Sequence, residues 1–156
     1  MIRAYLKPAL LIAGMTALAA CQGTAQSPGT DAGAGTDPGD PGAAVSRYYA
    51  ALGAGDHAAA YAMWTPDSDT ALRGLDRFSQ SMQNYQSLAA APAGPARLET
   101  TAGTVHAEVP VRVEATYRGN PITSTGTVTL ERCNDVPGCS AAERQWRLDA
   151  IALDPQ

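Results

Sequence analysis

Val45-Ser46-Arg47-Tyr48-Tyr49-Ala50-Ala51-Leu52-Gly53-Ala54-Gly55-Asp56-His57-Ala58-Ala59-Ala60-Tyr61-Ala62-Met63-Trp64 carries two helical signals separated by one turn signal. Val45, Tyr48, Tyr49 and Leu52 fall at i, i+3, i+4 and i+7, one face of an α-helix. Gly53-Ala54-Gly55 ends that helix, and Asp56 offers a side-chain cap to the next. The second helix runs through Ala59, Ala60, Tyr61, Met63 and Trp64. It stops before Pro66, because a proline ring disfavours helical backbone in the residue ahead of it.

Downstream, Ser68 or Asp69 caps a third helix, which buries Leu72, Leu75, Phe78, Met82 and Tyr85, with Leu88 at its far end. Ala91-Pro92-Ala93-Gly94-Pro95 then separates a helical half from a half that alternates with period two. A short strand covers Arg97-Thr101. A long one places Val105, Ala107, Val109, Val111, Val113, Ala115 and Tyr117 on one face, with His106, Glu108, Pro110, Arg112, Glu114 and Thr116 on the other. Arg118-Gly119-Asn120-Pro121 turns the chain. The next strand sends Ile122, Ser124, Gly126, Val128 and Leu130 inward and Thr123, Thr125, Thr127 and Thr129 outward. In the last strand Trp146 and Leu148 share a face, and Ile151 and Leu153 switch to the other parity, which predicts a bulge. Pro110, having no N–H to donate, predicts an edge or a bulge in the long strand. The expected fold class is α+β, with three N-terminal helices on one face of a four-stranded antiparallel sheet.

The order of elements over residues 43–156, and the 45–64 stretch in particular, looks like the nuclear transport factor 2-like (cystatin-like) domains. Those begin with an aromatic-bearing helix, a Gly-Asp turn and an Ala-rich second helix. The resemblance implies a curved sheet wrapped around a long helix, forming a cone with a pocket. It also implies a choice of roles, because the family holds ketosteroid isomerase-like and polyketide cyclase-like enzymes beside non-catalytic binding and envelope assembly domains. Domains of this kind often pair sheet to sheet, so the Thr123, Thr125, Thr127 and Thr129 row is either a solvated face or the interface of a homodimer.

Ahead of the domain, residues 1–7 carry Arg3 and Lys7, and residues 8–20 form an uncharged apolar run. This is the order of a secretory signal. As a helix the run rises about 20 Å, too short to span a hydrocarbon core of about 30 Å. Leu18-Ala19-Ala20-Cys21, which closes the run, resembles the lipobox of bacterial lipoproteins. That resemblance implies cleavage between Ala20 and Cys21, a diacylglyceryl thioether on Cys21 and an acylated amine such as a palmitoyl group. Several acyl chains hold a protein at a membrane where one would exchange. Gln22, in the place where an Asp signals inner-membrane retention, implies the outer membrane facing the periplasm. Residues 1–20 are thus expected as a signal peptide. The lipidated Cys21 and the Gly/Pro-rich residues 22–42 are expected as a tether. Its span is roughly 25 Å as a flexible coil.

The chain of 156 residues has a formal net charge of −4. Without residues 1–20, nine basic residues, all arginine, face fifteen acidic ones, a net charge of −6. With no basic stripe it lacks the clustered cations that nucleic acid needs, and no polybasic patch faces anionic lipid. Beyond Cys21 the cysteines are Cys133 and Cys139, flanking a Pro-Gly turn. In an oxidising compartment such a pair reads as a disulfide. The competing reading is a zinc half-site, but no second cysteine pair accompanies it, and His57 and His106 stand singly.

Tyr49, Trp64, Phe78, Tyr85, Tyr117 and Trp146 are the candidate pocket residues, with the alternative that they simply fill a small core. Isomerase chemistry needs a carboxylate base in the cone and an opposed hydrogen-bond donor. The inward strand faces hold no carboxylate, and Asp149 points in only if the register flips at the bulge. On that ground the expected function is a non-catalytic, lipid-anchored module with no cofactor or metal. It would bind an envelope protein or a small apolar ligand. The alternative is a small isomerase- or cyclase-like enzyme.

Overall fold

The computed structural model describes residues 39–134 and 136–154. The signal-like segment, Cys21 and residues 22–38 of the spacer lie outside them. Helix α1 (Pro41–Gly53) begins two residues ahead of the expected domain start at 43. Asp40 caps it by accepting from the Ala43 N–H at 3.2 Å, and Pro41 supplies a first-turn residue that needs no donor. Asp56 caps α2 (His57–Tyr61) by accepting from the Ala59 N–H at 2.9 Å.

Helix α2 is shorter than its apolar pattern predicts. After Tyr61 the chain runs beside the last strand: Thr65 N donates to the Leu148 carbonyl at 2.8 Å, and Leu148 N donates to the Met63 carbonyl at 2.8 Å. Trp64 thereby forms a parallel bridge with Leu148 and covers part of an otherwise open strand edge.

The expected third helix is two helices, α3 (Asp69–Arg73) and α4 (Leu75–Met82). Gly74 divides them at φ 85°, ψ 158°, a backbone that a side chain disfavours. The break leaves Leu72 on the surface, 73% exposed, instead of in the core. Tyr85 and Leu88 are not helical. They belong to β1 (Tyr85–Pro92), a strand the alanine-rich Tyr85-Gln86-Ser87-Leu88-Ala89-Ala90-Ala91-Pro92 does not advertise. Among the described residues, four helices and five strands therefore replace the expected three and four.

The remaining strands are β2 (Arg97–Thr101), β3 (Thr104–Tyr117), β4 (Asn120–Cys133) and β5 (Arg147–Leu153). All pair antiparallel, in the order β1-β3-β4-β5, with β2 also on β3. β1 meets β3 at residues 111–117 and β2 meets it at 104–108, so they share one edge of β3. Pro110 sits at the junction, where its carbonyl accepts from Ala93 N at 2.8 Å and its missing donor breaks no ladder bond. The central strand is thus locally an edge. Along its inner face Val105, Ala107, Val109, Val111, Val113 and Ala115 are buried, and they pack with Val45, Tyr48, Tyr49 and Leu52 of α1 and with Val128, Leu130 and Leu148. Cys133, the last residue of β4, is joined to Cys139, their Cα atoms 6.1 Å apart.

Candidate functional site

The helices do not fill the concave side of the sheet. A cavity of about 600 Å³ remains, walled by Tyr48, Tyr49 and Leu52 of α1, Phe78 and Met82 of α4, and Val113, Ala115, Ile122 and Ser124 of the sheet. Trp64, Tyr85, Leu88, Ala150, Ile151 and Leu153 complete its apolar wall. Its polar members are Asp67, Ser68, Asp69 and Thr70 from the α2–α3 region, and Asp149 from β5.

Asp149 enters through backbone geometry. Leu148 stands opposite Leu130 and Ala150 opposite Thr129, so Asp149 is the extra residue of a β-bulge. A bulge re-aims the side chains after it, and this one adds a carboxylate to an otherwise apolar wall. Asp67 and Asp69, both exposed, stand at the mouth, whereas Asp149 is half-buried. None of the three accepts a hydrogen bond or meets an ion-pair partner among the described residues. Ser68 is already committed: its hydroxyl donates to the Thr65 carbonyl at 2.8 Å and accepts from Ala71 N at 3.2 Å.

Two tyrosines supply the opposing chemistry. Tyr48 and Tyr49 are 2% and 4% exposed, and their rings meet edge-on with centroids 5.1 Å apart. Burial, and then the neighbouring Tyr85, push the Tyr49 hydroxyl up to about 12. Burial and the neighbouring Tyr49 also raise Tyr48, partly offset by the indole of Trp64. Both phenols therefore stay protonated at neutral pH and act as donors. The Tyr49 hydroxyl has no hydrogen-bond acceptor among the described residues.

Of the six expected pocket residues, Tyr49, Trp64, Phe78 and Tyr85 line the cavity and two do not. Trp146 is buried elsewhere, its indole N–H donating to the Gly39 carbonyl at 3.0 Å and its ring under the Arg132 guanidinium at 5.1 Å. Tyr117 packs at the hairpin end, its ring 5.0 Å from that of Tyr85 and beneath Arg118. His57 lies edge-on to Phe78 at 6.5 Å. His106 sits on the outer sheet face, 3.8 Å from Glu131 across the strand pair. Sequence reading missed Tyr48, Asp67 and Asp69 as lining residues. Tyr48 shares the helix face of Tyr49, and that signal was enough to place it.

No group of three or more His, Cys, Asp or Glu side chains is arranged to hold a metal ion among the described residues. No helix among them is long and apolar enough to cross a membrane.

A concave antiparallel sheet closed by helices over a pocket is the architecture of the nuclear transport factor 2-like superfamily, and the domain has that fold. An NTF2-like superfamily protein from Salmonella enterica serovar Typhimurium superposes with a TM-score of 0.53 at 12% identity, over 72% of this chain and 86% of that one. A protein from Kribbella flavida gives 0.51 at 12% identity, over 73% and 86%. A candidate dehydratase from the NTF2-like family of Streptomyces avermitilis gives 0.49 at 15% identity, over 74% and 92%. No family model matches the sequence, and no curated protein matches it.

The expectation of a non-catalytic module with an apolar or filled cone is corrected here. The cone is open, and three carboxylates and two buried tyrosines line it.

Proposed function

We propose that the domain is a small enzyme that moves a proton next to a carbonyl group, in the manner of an isomerase or cyclase. The observation that carries this is Asp149, a carboxylate without a hydrogen-bond or ion-pair partner among the described residues, which the β5 bulge brings into the same cavity as Tyr49. Leu52, Phe78, Met82, Val113 and Ile151 hold an apolar body by exclusion of water. The Asp149 carboxylate takes a proton from the carbon beside the carbonyl, and the C–H electron pair moves toward the carbonyl oxygen. The Tyr49 hydroxyl, assisted by Tyr48, donates a hydrogen bond to that oxygen as its charge grows. The protonated Asp149 returns the proton to another carbon of the conjugated system, which regenerates the base.

Conversion of 3-cyclohexen-1-one to its conjugated isomer, followed by ultraviolet absorbance, tests the assignment. Asp149→Asn keeps the shape and removes the base, so the rate should fall about a hundredfold or more. Equal rates for the wild-type chain and the variant would remove Asp149 from the reaction.

We further propose that Cys21 carries lipid and tethers this domain to the cell envelope, at the outer membrane facing the periplasm. The Leu18-Ala19-Ala20-Cys21 motif and the Gly/Pro-rich spacer after it support that placement.

A further inference from the structure

The charged side chains that line the cavity all have one sign. Asp67, Asp69 and Asp149 line it, and among the described residues no Lys, Arg or His does. Three arginines lie nearby. Arg147, two residues before Asp149 on β5, donates to the carbonyls of Ala62 and Trp64 at 3.4 Å each. Arg73 and Arg77 line a neighbouring groove that shares Thr70 and Phe78 with the cavity. The field of the carboxylates reaches past the cavity: after burial, the charges of Asp149 and then Asp67 raise the Glu131 carboxyl.

The second feature is aromatic. Tyr48, Tyr49, Trp64, Phe78 and Tyr85 wall one cavity, and their ring faces carry partial negative charge. Trp64 is 7% exposed, and its indole N–H is a buried donor with no hydrogen-bond partner among the described residues, so the cavity also offers a donor to an oxygen of the bound molecule. Unpaired carboxylates set against aromatic walls favour a soft, weakly hydrated cation over a neutral or anionic group of the same shape.

We propose that the cavity takes an organic cation, a carbonyl compound carrying a quaternary or protonated amine, with the charged nitrogen between Asp67 and Asp69 at the mouth and the aromatic walls behind it. This deepens the proposed function and rests on it in treating the bound cation as the substrate. The binding preference itself requires no turnover. A positive charge near the carbonyl would also favour the enolate that Asp149 forms.

Binding of trimethylphenylammonium and of its neutral isostere tert-butylbenzene to the full chain tests the preference. Amide NMR shifts of Asp149, Ala150 and Ile151 serve as the readout. The cation should bind roughly tenfold more tightly at low salt, and the advantage should shrink as salt screens the carboxylates. Asp67→Asn with Asp69→Asn should abolish the advantage while leaving tert-butylbenzene binding unchanged, which also shows that the variant is folded. Equal affinities, a preference for the isostere, a preference that survives the double substitution, or binding of neither probe would overturn the proposal. If Asp149→Asn loses turnover while both probes bind alike, the cation reading fails and the proton-transfer reading stands. If the cation is preferred but Asp149→Asn keeps full turnover, the reverse holds.

Discussion

Tyr49 shows how one buried residue couples stability to the site. Its hydroxyl is pushed up to about 12 from an ordinary value of 10, chiefly by burial. A group whose pKa is raised on folding stabilises the native state fully below its unfolded value, and the gain is lost as pH climbs through the folded value. The pH window is therefore about 10 to 12, and a shift of about two units corresponds to roughly 3 kcal/mol. Denaturant titrations between pH 9 and 12 should show wild-type stability falling steeply and Tyr49→Phe falling less, since the substitution removes one of the two buried phenols. Identical slopes would mean that the hydroxyl is hydrated in the cavity. Asp149 teaches the opposite lesson about legibility. Its residue type was visible, as was the parity switch between Leu148 and Ile151. The side to which the bulge turns it follows from pairing with β4, which no local pattern records.

At the scale of elements, β3 and β4 were legible because small apolar residues recur at alternate positions along them, and the observed β2 spans the residues expected of it. Strand β1 was not. Its alanines favour helix, but the upper half of β3 has an unpaired edge that seven residues of this segment satisfy. Tertiary hydrogen bonding outweighs a local propensity of a few tenths of a kcal/mol per residue. Gly74 and Gly126 carry consequences that the pattern of apolar residues hides. On β4, a Cβ at Gly126 would stand 2.8 Å from the Leu153 Cα, against the backbone of β5, because the two strands approach closely there. Gly126→Ala should therefore displace the end of β5 that carries Ile151 and Leu153 into the cavity wall, at a cost of about 1–3 kcal/mol. A melting curve checks it, and an unchanged midpoint would mean that β5 shifts freely.

For the whole molecule, the small apolar side chains of the core and the open cone belong together. A core built on Val105, Ala107, Val109, Val111 and Val113 leaves the helices standing off the sheet at one end, where aromatic rings line a space without filling it. Tyr49, Trp64 and Phe78 belong to the buried core and also line the cavity, because a cavity is a property of how layers meet and not of any one layer. The lipid anchor belongs to this scale too. Cys21→Ser should leave the chain unlipidated and uncleaved, read by mass spectrometry and membrane fractionation, while normal anchoring of that variant would exclude the lipobox. The account as a whole stands on Asp149 as a base inside the cone. Its most direct test is proton–deuterium exchange at the carbon beside the carbonyl of a cyclic ketone in D2O, followed by proton NMR with wild type and Asp149→Asn. The account predicts loss of that proton signal with the wild-type chain and only the buffer rate with the variant; exchange at the same rate with both would contradict it.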